Sequence, residues 1–456
     1  MSIQLPPQPS AQAGRLALTA LLREKNLLAA LEVFRAELGD AFSFNLLGFN
    51  PIMLSGPEAN RCLLVEQRDR FSWRMPTDPV AKLLHQGLLV TDGAEHDHLR
   101  RTMLPALHKK RLSAYAELFR HYTDQVTATW QDGQTRDMLI EMRRVALLIL
   151  VGTLFRVDFT PDMDNLWPAI LKMLKHISPG LWMFWTNAPA GHAAPALHAV
   201  DHYLYGIIRD RRNEHAGGAD LLGTLIASGM DDGLIRDQLL TMFIAGHDTS
   251  TALLAWTLYL LGKHPHVLAR VRDEVDANLQ GDPPTLENTA QLRYLQCVID
   301  ETLRMYPPIH LGTRRIVSDL QFQGYDLPQG RRANYSIYLT QRNPNFWPDP
   351  GVFNPDRFLP ENERGRQPYT YLPFGGGPRN CIGAAFAQVE SKIVIARLIQ
   401  LFDFTLEPTK VHVYMGATLE PRPGVRMTVK KRQPEVMSPQ VTLVSQAEGG
   451  LVYESI

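Results

Sequence analysis

Residues 374–383 read Phe-Gly-Gly-Gly-Pro-Arg-Asn-Cys-Ile-Gly and run directly into an apolar-periodic stretch, AAFAQVESKIVIARLIQLF. Three consecutive glycines let backbone amides come close to a sulfur. A helix starting just past Cys381 turns its N-terminal N–H groups and positive dipole end toward it. Both features lower the free energy of a thiolate, so the chain must build a rigid loop around one cysteine. A lone cysteine on a glycine turn is ordinarily a small buried hydrophobe. The rest of the sequence has to decide between these two readings.

Of the 456 residues, 45% are hydrophobic and 21% charged, enough to bury a large core. Lys+Arg and Asp+Glu are both 47, so the chain has no global basic field for phosphate backbones and nucleic acid is excluded as a partner. Cys62, Cys297 and Cys381 are odd in number and far apart, which argues against a disulfide framework or a closed zinc site and fits a reducing compartment. The N-terminal MSIQLPPQPSAQAG lacks the pattern of a signal peptide or an anchor, so a cytoplasmic protein without a transmembrane anchor is expected. Residues 242–262 approach the length of a membrane span. His247 and Asp248 interrupt them, and a central Asp costs roughly 2.5–3.5 kcal/mol on insertion, so a buried helix is predicted instead.

No internal repeat or low-complexity linker divides the chain. One domain over 1–433 is expected, followed by a tail, 434–456, of unreadable order. Helical spacing covers 56–70, 95–130, 136–155, 195–215, 233–262, 264–279, 290–305 and 383–401. Short strands are expected on either side of Gly48-Phe49-Asn50 within 41–55, in 313–340 including Asn334–Leu339, and at Val425–Lys430. The fold class is therefore mainly α with small β-sheets.

Four further features favour the thiolate reading. Glu301 and Arg304 place a carboxylate and a guanidinium at i and i+3 on one helix face, and Asn354-Pro355-Asp356-Arg357-Phe358 adds a second arginine shortly before the cysteine loop. Together they would form a buried charge network fixing that loop. Ala245-Gly246-His247-Asp248-Thr249-Ser250 interrupts an apolar helix. Gly246 would leave room for dioxygen, and Asp248 beside Thr249 pairs an acid with an alcohol that can relay protons. A kink with a satisfied polar pair is the plainer alternative. His96 and Arg100 lie one helical turn apart, suited to a carboxylate or simply to solvent. A thiolate in such company is the axial donor that haem iron needs for O–O cleavage, and haem propionates need cationic partners.

In this order, from about residue 92 to 383, the motifs closely resemble the cytochrome P450 family of haem-thiolate monooxygenases, whose cysteine-loop pattern this chain matches without a departure. The resemblance implies a single P450-type domain holding haem b (iron protoporphyrin IX). Cys381 would be the iron ligand and Phe374 would pack beside it, with Pro373, Ile382, Gly383, Ala245 and Gly246 also against the cofactor. His96, Arg100, Arg379 and Arg314 would meet the propionates. Arg314 is preferred to Arg315 for its spacing to Asp319, and either arginine remains a candidate. Gln341 departs from the family, which commonly has His there. The wording of Ala245–Ser250 and Leu303–Pro308 is more like the fatty-acid- and terpenoid-oxidising branches than the camphor-type one.

On this reading the substrate pocket is lined by Met75–Val90, Pro308–Gly312, Tyr414–Leu419, Phe243 and Ala245. These are mostly apolar, so they would select a lipophilic fatty acid, terpenoid, carotenoid or steroid by burial. Residues 178–185, SPGLWMFW, are either an access lid with a peripheral membrane contact or core packing. No dinucleotide fingerprint is present, so electrons for reducing O2 would come from a separate ferredoxin or flavodoxin. That donor would dock on a basic face including Arg100, Arg101, Lys109, Lys110, Arg111 and Arg379. A peroxide-driven peroxygenase and a non-enzymatic haem sensor are the rival functions. Asp248 and Thr249 favour the monooxygenase, because a peroxygenase has no need of a proton relay.

Overall fold

The computed structural model describes residues 4–45, 49–73, 75–179, 193–214 and 218–432. The proposed lid (residues 180–185 of it) and the tail, 434–456, lie outside the described residues.

The fold is organised around one helix, Asp232–Lys263, started by Asp231, whose carboxylate accepts from Leu234 N at 2.8 Å. Its sequence is apolar all round, so it is covered on nearly every side, with helices Met138–Leu150, Ala193–Asn213, Arg293–Met305 and Ala384–Leu401 among its neighbours. At its far end, Trp256 stacks on Tyr306 at 3.8 Å and donates to Leu419 O at 2.9 Å. One side chain thereby links the helix to the end of Arg293–Met305 and to the hairpin His412–Met415/Leu419–Arg422. No helix among the described residues is long and apolar enough to cross a membrane.

A five-stranded sheet lies to one side, in the order Ala41–Ser43, Ile52–Leu54, Arg332–Ser336, Leu311–Ile316, Phe71–Ser72. Only the second and third of these strands are parallel. The expected strand Asn334–Leu339 stops at Ser336. There Ser336 Oγ accepts from Leu339 N at 3.1 Å and caps a short helix, Ile337–Gln341, so a capping hydroxyl outweighs the strand preference of Tyr335, Ile337 and Tyr338. The expected helix 95–130 is two helices, Gly93–Met103 and Lys109–Thr127, joined by a 3₁₀ turn over Leu104–Leu107. Pro105 cannot continue the hydrogen-bond ladder, and His108 restarts it by accepting from Lys110 N.

Candidate active site

The cysteine loop closes on itself through Cys381 N donating to Phe374 O at 2.8 Å. Gly375 and Gly377 have φ of +71° and +66°, the left-handed region that side chains resist. A Cβ on Gly377 would stand 2.2 Å from Leu64 O, whereas one on Gly375 would meet nothing within 4 Å. The glycines thus shape the turn and seat it on Leu64, and the backbone N–H that acts on the sulfur is that of Gly383, ahead of helix Ala384–Leu401. Gly377→Ala should therefore cost well over the about 1–2 kcal/mol expected of Gly375→Ala, because it adds a backbone clash to the strain. Urea denaturation midpoints of the two variants check this.

Cys381 is exposed although it lies deep among protein atoms, so it faces space inside the molecule. Burial pushes its thiol pKa up, while the Gly383 N–H and the Arg100 guanidinium hold it down. Pro373, Phe374, Ile382 and Gly383 around it are half-buried. The long helix has a matching face. Between Thr241 and Leu261 only Ala245, Gly246 and Thr249 are accessible, and they share one side of the helix. Ser250 Oγ donates to Glu390 Oε2 at 2.6 Å, tying this helix to the one that follows Cys381.

Two expectations about this helix change. The direction a Cβ would take from Gly246 leads to Leu150 Cδ1 at 2.5 Å, so the missing side chain makes room for helix Met138–Leu150 and not for dioxygen. Phe243 is fully buried and packs against Phe155, Phe159 and Tyr203, away from the accessible face. The loop 75–90 does meet the helix. Leu88 N donates to Gln238 Oε1 at 2.8 Å and Gln86 N to Asp237 Oδ2 at 3.1 Å, leaving Leu89 and Val90 half-buried.

The candidate propionate partners converge. Arg314 and Arg379 lie over Trp73 at 3.8 and 4.6 Å and line one cleft with Asp92. Arg314 is buried on its strand and Arg315 less so, which favours Arg314. Burial lowers the Arg379 pKa to about 10, with Arg314 and Arg100 adding to it, and burial also lowers that of His96. All four already have partners: Arg379 Nη1 donates to Asp92 Oδ1 at 3.0 Å, Arg100 to Asn380 O and Oδ1 at 2.8 and 2.7 Å, and Arg314 to Thr313 O and Tyr335 Oη at 2.9 and 3.3 Å, while His96 Nδ1 meets Asp97 Oδ1 at 3.0 Å. Arg100 therefore braces the residue preceding the cysteine.

Glu301 and Arg304 are wholly buried and joined by two hydrogen bonds, Nε to Oε2 at 2.6 Å and Nη2 to Oε1 at 2.8 Å. Arg304 also donates to the carbonyls of Gln341, Pro350 and Val352, and Glu301 accepts from Asn354 N at 2.9 Å. Arg357 Nε reaches Glu301 at 3.5 Å. The sequence reading missed the part played by Gln341. Its amide donates to Leu303 O and Arg304 O, and its oxygen accepts from Leu372 N at 3.0 Å, so this buried side chain joins the network to the start of the cysteine loop.

Asp248 and Thr249 are adjacent in sequence but point apart. Thr249 Oγ1 donates to Ala245 O at 2.6 Å on the accessible face. Asp248 is buried on another side, where it accepts from Thr418 Oγ1 at 2.6 Å, and burial beside Glu420 pushes its pKa up to about 6. Ser250 is engaged by Glu390, and Thr251 is fully buried and donates to His247 O. Thr249 thus carries the one hydroxyl of the three on the accessible face.

The chain belongs to the cytochrome P450 family, which residues 6–426 match. It is 30% identical over 86% of its length to "Putative cytochrome P450 120" of Synechocystis, covering 90% of that protein. It is 32% identical over 70% of its length to "Cyclooctat-9-en-7-ol 5-monooxygenase" of Streptomyces melanosporofaciens, covering 73% of it. The fold superposes on the solved structure "Retinoic acid bound cyanobacterial CYP120A1" with a TM-score of 0.83 and 27% identity, covering 95% of this chain and 100% of that one. The protein is a monooxygenase of this family, a single mainly helical domain whose fold holds a haem iron. The residues present fit such a group: an accessible thiol inside the protein, a bare helix face and a convergence of buried cations.

Proposed function

We propose that the protein holds haem b through Cys381 and inserts one oxygen atom from O2 into a lipophilic substrate. The observation that carries this is the accessible Cys381 inside the protein, on an element tied to the bare face Ala245-Gly246-Thr249. When bound, the haem supplies the activation of dioxygen. Cys381 would hold the iron through its sulfur, and the Gly383 N–H would moderate its charge. His96, Arg100, Arg314 and Arg379 would hold the propionates. Thr249 presents its hydroxyl on the accessible face, and Asp248 exchanges protons behind it.

The named relatives support a substrate with a hydrocarbon body and one oxygen function: one is the retinoic-acid-bound CYP120A1, and another is named as the cyclooctat-9-en-7-ol 5-monooxygenase. Terpenoids lead the lipophilic classes on this ground, ahead of fatty acids, carotenoids and steroids. Titrating the purified protein with retinoic acid should shift the haem absorption saturably. An unchanged spectrum with retinoic acid and with a diterpene alcohol would reject the terpenoid class.

Electrons come from a separate ferredoxin or flavodoxin. Of the basic face expected to dock it, Arg101, Lys110 and Arg111 are exposed among the described side chains, which do not include that of Lys109, and Arg100 and Arg379 are turned inward by their partners. All three cysteines are unpaired, in keeping with a cytoplasmic location.

Thr249→Ala should leave haem loading within twofold of wild type and cut product per NADPH by roughly tenfold. That is less than the 10²–10⁴ a lost proton donor costs, because water still reaches this face. The missing electrons should appear as hydrogen peroxide. Unchanged coupling would remove the role given to Thr249 and leave Cys381 untouched.

A further inference from the structure

Three elements meet behind the long helix. Asp248 is buried there, with Oδ2 accepting from Thr418 Oγ1 at 2.6 Å. Its Oδ1 has no hydrogen-bond partner among the described residues and lies 3.9 Å from Arg143 Nη2, contributed by helix Met138–Leu150. That guanidinium is instead bonded to Glu420, on hairpin strand Leu419–Arg422, and both are buried. Glu420 also accepts from Arg422 Nη2 at 2.6 Å, and Arg422 is half exposed at the rim. His247, on the same helix, is buried and held neutral. Two buried carboxyls therefore share one buried guanidinium: Glu420 takes its hydrogen bond, and Asp248 stands at ion-pair distance without one.

We propose that Glu420 is a positioning residue for proton delivery: by taking the hydrogen bond of Arg143, it holds Asp248 and Arg143 short of a hydrogen-bonded ion pair and leaves Asp248 able to take up and release a proton. This rests on the reading of Asp248 as the proton-exchanging group. An aspartate paired with a buried arginine stays ionised and carries no proton at neutral pH, whereas one beside a second carboxylate is held nearer its midpoint. Burial first, and Glu420 second, push the Asp248 pKa up to about 6. Thr418 acts in the opposite sense to Glu420, since its hydroxyl donates to the ionised form.

The two neighbours therefore give opposite signs. Infrared titration of the haem-loaded protein follows the protonated carboxyl band, assigned to Asp248 by its loss in Asp248→Asn. The wild-type midpoint should lie near pH 6. Glu420→Gln, which removes the like charge and releases Arg143, should lower it by at least one unit. Thr418→Val, which takes the hydrogen-bond donor away from the Asp248 carboxylate, should raise it. Equal midpoints in wild type and both variants would overturn the proposal, as would a rise in Glu420→Gln. If Glu420→Gln does not fold, the absence of a rise in Thr418→Val overturns it alone. The parallel readout is the pH profile of NADPH oxidation through a surrogate ferredoxin and its reductase without added substrate. It should follow the band in each variant and flatten in Asp248→Asn. A profile unaffected by Asp248→Asn while the bands move as stated would mean that Asp248 is not the proton carrier. A profile flattened by Asp248→Asn with unmoved bands would mean that Glu420 does not position it.

Discussion

Replacing Glu301 or Arg304 by alanine is expected to leave almost no soluble, haem-loaded protein. Both side chains are fully buried and bound to each other by two hydrogen bonds, so removing either strands a charge where water cannot reach it. Such a loss costs roughly 3–5 kcal/mol against a total stability of about 5–15 kcal/mol. The damage spreads, because Arg304 also holds the carbonyls of Gln341, Pro350 and Val352, and Gln341 holds Leu372 just before the cysteine loop. Arg357→Ala should be milder, since Arg357 meets Glu301 only at 3.5 Å and its Nη2 donates to a single carbonyl, that of Asp349. Haem per protein chain and the soluble fraction after expression measure the series. Normal loading in both alanine variants would reduce the pair to an incidental ion pair.

Cys381→Ala is expected to do the reverse: it keeps the fold and loses the chemistry. The side chain faces internal space and its main contacts to the loop run through the backbone, Cys381 N to Phe374 O and Ala384 N to Cys381 O, which alanine preserves. Stability should change by less than about 1 kcal/mol, the range for substitutions that open no cavity and strand no polar group. Product formation should fall below detection, because the alanine supplies no axial donor. The pair of measurements is a thermal melt of the haem-free forms and product per unit of haem. A variant that melts normally and still turns over would place the axial ligand elsewhere.

The contrast between these variants shows which parts of the molecule local sequence determines. The cysteine loop is legible because everything it needs is contiguous: turn glycines, the sulfur and the helix that follows. Helical spacing likewise identified the long central helix, since a period of 3.6 is a local property. The break at Pro105 and the stop at Ser336 were missed where a single proline or capping hydroxyl overruled the periodicity around it.

Side-chain direction was harder to read. Asp248 and Thr249 are neighbours in sequence, but successive residues on a helix point about 100° apart, so the alcohol faces the internal space while the acid faces Thr418 behind it, an arrangement the sequence did not display. Gly246 looked like an opening and is a contact with Leu150. Gln341 was set aside as a departure, yet it clamps residues 303, 304 and 372 together, partners that no local pattern could supply. Glu420 and Arg143 escaped notice for the same reason, being separated by 277 residues.

The central claim, a haem held by the Cys381 thiolate, is tested most directly by the absorption spectrum of the reduced wild-type protein under carbon monoxide. An anionic sulfur opposite the carbon monoxide pushes electron density onto the iron and moves the main band strongly to the red of its position with a neutral imidazole ligand. The wild type should show that red-shifted band, and Cys381→His should lose it completely. A wild-type band at the imidazole position, in protein that carries one haem per chain and melts cooperatively, would contradict the claim.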